Sequence, residues 1–325
     1  MKNVFMMLLV LVVVAAVLPP SVAGQTIRVG YTSKTVFYLP FFVAQKQRFY
    51  EAEGLQVQLI HMGSSAIHLQ ALIAGEIHFA NINPDGVILY NEKGGNLKVI
   101  AGMDNAAPYV LVGGKSYKKI EDLKGAKLGA SSLKGGATTL LVEYLKAKGL
   151  QYPRDYTIVV IAGGTPARLA ALETGAIAAV VLGIPVSDIA VDRGFNRLGD
   201  VVEVLPKFQF TAVHADPGWA EKNRPAVVKF LKAHVRSLRW IYDHPDEAAD
   251  LYTKEMGVKA PYARKGIDYF TKNNVFPRDG SVALEGLKAN IEVQVKDGLL
   301  TGAAPSPEKY VDLSYLKQAQ KELGM

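Results

Sequence analysis

The sequence contains no cysteine. That removes a disulfide framework, a zinc–thiolate site, a thiol nucleophile and a lipid-modified N-terminal cysteine. It also has no block of like charges. The formal net charge of +7 comes from 37 Lys+Arg against 30 Asp+Glu, and basic runs are as short as Lys118-Lys119. A diffuse excess does not form the patch or stripe that nucleic-acid binding needs. The six histidines, at 61, 68, 78, 214, 234 and 244, show no metal-ligand spacing, and His-Glu-x-x-His is absent. There is no Gly-x-Ser-x-Gly elbow. Gly113-Gly114-Lys115-Ser116 imitates the end of a phosphate-binding loop, but Tyr109 stands where its first glycine belongs. No cofactor, metal or catalytic residue is expected.

Long hydrophobic runs are lacking beyond the first residues. Val4 to Leu18 is an unbroken apolar run of 15 residues, short of the roughly 20 that span a bilayer. Lys2 precedes it, Pro19-Pro20 ends it, and Ser21-Val22-Ala23 offers small residues for cleavage. Residues 1–23 are therefore expected to be a cleavable secretory signal, and the mature chain an exported, periplasmic protein. The whole chain of 325 residues, 49% hydrophobic and 21% charged, is long enough for about two domains.

Past residue 24 the chain alternates short apolar strands (27–30, 77–82, 99–101, 109–112) with helical spacings such as Leu39–Glu53 and Ser65–Ala74. That is the signature of βαβ units and a largely parallel sheet. The pattern then recurs. GSSAIHLQALIAGEI (63–77) and GGTPARLAALETGAI (163–177) are identical at six of fifteen positions, and VGYTSK (29–34) resembles LGASSLK (128–134). A shift near 100 residues reads as a domain-scale duplication. Each lobe offers a helix start lined with hydroxyls, at Ser64-Ser65, Ser131-Ser132 and Thr165. Such starts expose N–H groups and partial positive charge toward an anionic or electron-rich group; plain helix capping is the alternative for each one.

In order along the chain, PFFVAQKQRFYEAEGLQVQL (40–59), the segment 63–88, NLKVIAGM (96–103), IEDLKGAKLGASS (120–132), ARLAALETGAIAAVVLGIP (167–185), WIYDHPDEAADLYTKEMGV (240–258) and EKYVDLSYLKQA (308–319) resemble the periplasmic substrate-binding proteins of ABC importers, the NMT1/THI5-like group of nitrate, sulfonate, taurine and pyrimidine type. The resemblance implies an α/β, two-lobed periplasmic-binding-protein fold (type II), each lobe a mostly parallel sheet flanked by helices. Lobe one would be 25–110 plus 211–325 and lobe two 111–205, with crossings near 109–112 and 206–213. It implies a small-molecule ligand captured by hinge closure, an ABC permease with its cytoplasmic ATPase as partner, and a monomer that catalyses nothing. A sensor-system partner and a pyrimidine-precursor enzyme of the same fold are the alternatives.

By position in that fold, the lobe-one wall of the cleft would be Thr32, Ser33, Phe37, Tyr38, Ser64, Ser65, Asn81 and Asn83. The lobe-two wall would be Ser131, Ser132, Gly136, Thr138, Thr165, Gly183 and Ile184, with Tyr109 and Phe208 beside the hinge. Lys34 and Lys134 would sit at the cleft mouth. Arg168, in the first turn of its helix, is read as facing solvent, with an anion contact as the alternative. The turn Leu182-Gly183-Ile184-Pro185 carries no charge where many relatives have an acidic-aromatic turn. That disfavours a zwitterion and points to a small organic anion or a polar heterocycle.

Overall fold

The computed structural model describes residues 26–133 and 136–325. The expected signal segment, with Lys134 and Gly135, lies outside the described residues. Among the described residues ten strands make two sheets: β1 (Ile27–Tyr31), β2 (Val57–His61), β3 (Phe79–Ile82), β4 (Lys98–Asp104), β5 (Tyr109–Gly113), β6 (Lys127–Ala130), β7 (Thr157–Val160), β8 (Ala179–Gly183), β9 (Asn196–Asp200) and β10 (Thr211–Ala215). The first sheet has the order β2-β1-β3-β10-β4 and the second β7-β6-β8-β5-β9. In each, the first three strands are parallel and the fourth runs antiparallel to both of its neighbours. The two sheets share one plan, which is what the repeat of about 100 residues requires. The fold is α/β and two-lobed.

Among the described residues thirteen α-helices cover the sheets: α1 (Leu39–Lys46), α2 (Phe49–Ala52), α3 (Ser65–Ile73), α4 (Asp85–Glu92), α5 (Ala137–Ala147), α6 (Gly164–Glu173), α7 (Val186–Asp192), α8 (Pro217–Lys222), α9 (Arg224–Asp243), α10 (Pro245–Met256), α11 (Ala260–Lys272), α12 (Leu284–Lys296) and α13 (Ser314–Glu322). Central strands covered on both faces are apolar throughout, as in the AVVLG of β8. Among the described residues no helix is long and apolar enough to cross a membrane.

The expected helix 39–53 is two helices. Arg48 takes a left-handed conformation (φ 58) and ends the first, which turns Tyr50 inward to stack on Phe230 at 5.7 Å. In α9 the apolar residues Val227, Val228, Leu231, Val235, Leu238 and Ile241 recur at helical spacing and are all buried. Residues 109–112, expected near the first crossing, lie inside β5 of the second sheet. The chain leaves the first sheet after Asp104 and returns through 201–210. Each antiparallel strand therefore stands beside a crossing.

The larger core gathers around α9. Phe230 stacks on Phe79 at 4.3 Å and lies parallel to His234, whose Nε2 is 2.9 Å from the Gly102 carbonyl. Phe230 is fully buried. Phe230→Ala is therefore expected to cost about 3–5 kcal/mol of stability, the transfer term plus the cavity left behind. Chemical denaturation measures it, and a loss well below 1 kcal/mol would mean that this face of α9 does not carry the core.

Candidate functional site

The two lobes meet over a cavity of about 50 Å³, room for a few heavy atoms rather than a large organic body. The loops that follow β1, β2 and β3 supply Thr32, Ser33, Phe37, Tyr38, Gly63, Ser64, Ser65 and Asn83. The loops that follow β6 and β7 supply Ser131, Ser132, Gly136, Ala137, Gly164, Thr165 and Arg168. Tyr109 opens β5, and Phe210 and Thr211 stand at the start of β10. The walls thus come from the carboxyl ends of parallel strands, where open α/β sheets receive ligands.

The lobes touch through paired loops. A methyl group on Gly63 would lie 3.6 Å from the backbone nitrogen of Gly163, the residue matched to it by the repeat. Gly164, at φ +78, lets α6 begin against Ser33; a Cβ there would stand 2.6 Å from the Ser33 Cβ.

Arg168 is the electrostatic centre. It is 3% exposed. Its Nη2 donates to the Thr165 hydroxyl at 3.2 Å, while Nε has no partner. No carboxylate lines the cavity. Burial holds its pKa below the usual guanidinium range, opposed by the hydroxyl ends of Tyr109 and Tyr38. Burial pushes the Tyr109 phenol up to about 12 against the pull of Arg168. Burial also raises Tyr38, whose hydroxyl pairs with that of Thr32. Both phenols are thus neutral beside a fixed cation. Behind Thr211, the buried Asp104 accepts the Thr211 hydroxyl, and burial lifts its carboxyl well above the ordinary range.

The sequence expectation placed Arg168 in solvent, on the ground that a cation opposes the dipole at a helix start. The structure turns it inward instead. The repeat carried a usable signal, because position 68 is its match, and His68 is also fully buried on the inner face of α3. Gly63, Ala137, Gly164, Phe210 and Thr211 also line the cavity without having been singled out.

Five expected wall residues lie off the cavity. Asn81 is fully buried within β3, its amide without a partner. Thr138 spends its hydroxyl on the Ser132 carbonyl at 2.8 Å, closing the turn into α5. Gly183 is covered by Phe37, and Ile184 packs in the second lobe's core. Phe208 is buried among core side chains, and its expected place is taken by Phe210, two residues on. Asn83 reaches the wall with its amide already committed, to the Phe210 carbonyl at 2.9 Å and the Asp85 N–H at 3.0 Å. Lys34 is exposed and lies in a surface groove beside α6, α7 and α11.

Residues 37–248 match the family described as NMT1/THI5 like. The chain belongs to the NMT1/THI5-like family. A protein of Bacillus subtilis (strain 168), named for binding aliphatic sulfonates, is 24% identical over 224 residues, 66% of this chain and 65% of its own length. Among solved structures, the periplasmic nitrate-binding protein of Synechocystis PCC 6803 superposes with a TM-score of 0.74 at 14% identity, covering 92% of this chain and 89% of that one. The alkanesulfonate-binding protein of Xanthomonas axonopodis pv. citri bound to MOPS superposes with a TM-score of 0.71 at 19% identity, covering 87% and 97%. These solved structures share the two-lobed fold of the family; their low identity carries no ligand over to this chain.

Phe37 of the first lobe binds together the side of the cavity next to the two crossings. It stacks on Tyr109 of the second lobe at 5.3 Å and tilts against Phe210 at 5.1 Å and Phe270 at 5.0 Å. Gly183 makes this possible, since a Cβ there would stand 2.4 Å from the Phe37 ring. Gly183→Ala is therefore expected to displace Phe37 and cost about 1–3 kcal/mol. The near-ultraviolet circular dichroism of the aromatic cluster should change with it. An alanine variant with unaltered stability and spectrum would show that the ring does not depend on this contact.

Proposed function

We propose that this protein is the extracytoplasmic solute-binding component of an ABC-type import system, and that it captures a small organic anion such as a short sulfonate or carboxylate. One observation carries the ligand class: the buried Arg168 guanidinium faces a small, hydroxyl-lined cavity that holds no carboxylate. A buried cation without a counter-charge is costly, and a charge-assisted bond to an incoming anion offsets that cost. The hydroxyls of Ser33, Ser64, Ser65, Ser131 and Thr165 supply further donors around the same space. An ammonium group would find no acidic partner in this lining, which weighs against zwitterions of the taurine kind.

The solute-binding role is supported by family membership and by the names of the relatives, which bind sulfonates or nitrate. The lining contains neither carboxylate nor imidazole to move a proton, which favours capture over turnover. Lobe one would comprise 26–104 with 211–325, lobe two 109–200, and the crossings 105–108 and 201–210 would flex as the hinge. A permease with its cytoplasmic ATPase would receive the closed, loaded monomer.

The test is a thermal-shift titration with methanesulfonate, nitrate, small carboxylates, taurine and uracil. An anion should raise the melting temperature as its concentration rises, by mass action. Arg168→Met should weaken that anion by about 2–5 kcal/mol while leaving the ligand-free protein at least as stable as the parent, because an unpaired buried charge is gone. Stabilisation by taurine or uracil without any by the anions would overturn the ligand class. Steady consumption of the ligand would overturn the binding role.

A further inference from the structure

Asp85, the first residue of α4 in the first lobe, is 2% exposed. Both its carboxyl oxygens are engaged, and from opposite lobes. Oδ1 accepts from Asn290 Nδ2 of α12 at 2.7 Å, and Oδ2 accepts the hydroxyl of Thr139 in α5 at 2.8 Å. The anchoring side of this carboxyl continues inward. Asn290 Oδ1 accepts from the Gln209 backbone N–H at 3.1 Å. Gln209 lies in the segment that carries the chain back to the first sheet. Its own amide donates to the Asp104 carbonyl at 3.1 Å and to the Thr211 carbonyl at 2.8 Å, and accepts from the Ala283 N–H at 2.8 Å. A line of buried hydrogen bonds thus runs from α5 of the second lobe, through Asp85, to the crossing segment and the cavity wall at Thr211.

We propose that Asp85 and Thr139 form a closure latch: the Thr139 hydroxyl docks on the Asp85 carboxyl as the lobes come together, and Asn290 and Gln209 tie that contact to the hinge. The five bonds that run from Asp85 through Asn290 and Gln209 lie within the first lobe and its crossing, so the carboxyl is already positioned when Thr139 arrives. Of the bonds in this line, separation of the lobes breaks the one from Thr139. Closure withdraws the carboxyl from water, and the Thr139 hydroxyl then supplies the hydrogen bond that water gave; a closed arrangement without it would hold an unmet buried carboxyl oxygen, which is expensive. Burial pushes the Asp85 carboxyl up to about 6, with the Asn290 and Thr139 hydrogen bonds pulling it back, which agrees with a group that closure itself withdraws from water. The seam also carries Lys146–Asp297 at 2.7 Å, a partly exposed pair of the kind that contributes little.

The inference rests on the hinge closure of the proposed binding role, but its test needs no ligand. The chain has no cysteine, so Gln58→Cys on β2 and Thr157→Cys on β7 introduce two unique sites for spin labels. Both positions are exposed, on the sheet edges farthest from the crossing strands. Pulsed dipolar spectroscopy of the ligand-free protein then reads the closed and open distances. Thr139→Val should lower the closed-to-open ratio by about tenfold, the scale of one hydrogen bond to a charged group, and Thr139→Ser should restore it. An unchanged distribution in Thr139→Val overturns the latch. So does an equal shift from Lys146→Ala, which pairs with Asp297 on the same seam. A protein that binds none of the anions tested above would sink the ligand class and leave this measurement standing.

Discussion

The cavity is arranged around a guanidinium withdrawn from water. Arg168 has one hydroxyl partner, an unpartnered Nε and no carboxylate across from it. A protein tolerates such a group only where the rest of the fold holds it in place, and here α6 does so by its first turn. The helix begins at Gly164 against the Ser33 loop, so its N-terminal groups and Arg168 face the opposite lobe together. Burial lowers the Arg168 pKa, and the phenols of Tyr109 and Tyr38 oppose that lowering. The hydroxyls of Ser64, Ser65, Ser131 and Thr165 extend the same polarity around the cavity, whereas that of Thr211 already donates to Asp104.

The duplication explains both the likeness of the walls and the difference in their charge. The two sheets have the same order and the same single antiparallel strand, and helices α3 and α6 follow matched strands. Residues 68 and 168 both turn inward. His68, pushed down to about 4 by burial, is neutral at ordinary pH, whereas its counterpart is a cation. One lobe therefore offers hydroxyls and apolar surface, and the other offers hydroxyls and charge.

How much of this was legible in the sequence depends on how local the cause is. Strand and helix alternation, the long helix α9, the two-lobed architecture and most loop residues of the cavity follow from patterning and from hydroxyls placed at helix starts. Arg168 was not legible, because the dipole at its helix start speaks for solvent and only tertiary burial overrides it. Phe208 and Phe210 cannot be told apart by composition: both are aromatic in one irregular segment, and packing against α12, where Gly286 approaches the Phe208–Gln209 backbone, decides which one turns to the cavity. The break at Arg48 is likewise tertiary, since it serves to bring Tyr50 onto Phe230. The first crossing was displaced because an apolar run such as 109–113 reads the same whichever sheet receives it.

The hinge side and the open side of the cavity are held by different physics. Beside the crossings, Phe37, Tyr109, Phe210 and Phe270 pack ring against ring, a contact without fine directional demands that survives small rotations. Around the rest of the rim, contact between lobes is made by backbone at Gly63 and Gly163, by Gly164 on Ser33, and by the Thr139 hydroxyl on Asp85. The first two are close packing that glycine permits, and the third is a directional hydrogen bond. Ring packing beside the crossings, and close backbone approach with one hydrogen bond on the facing loops, thus join the two lobes by different means.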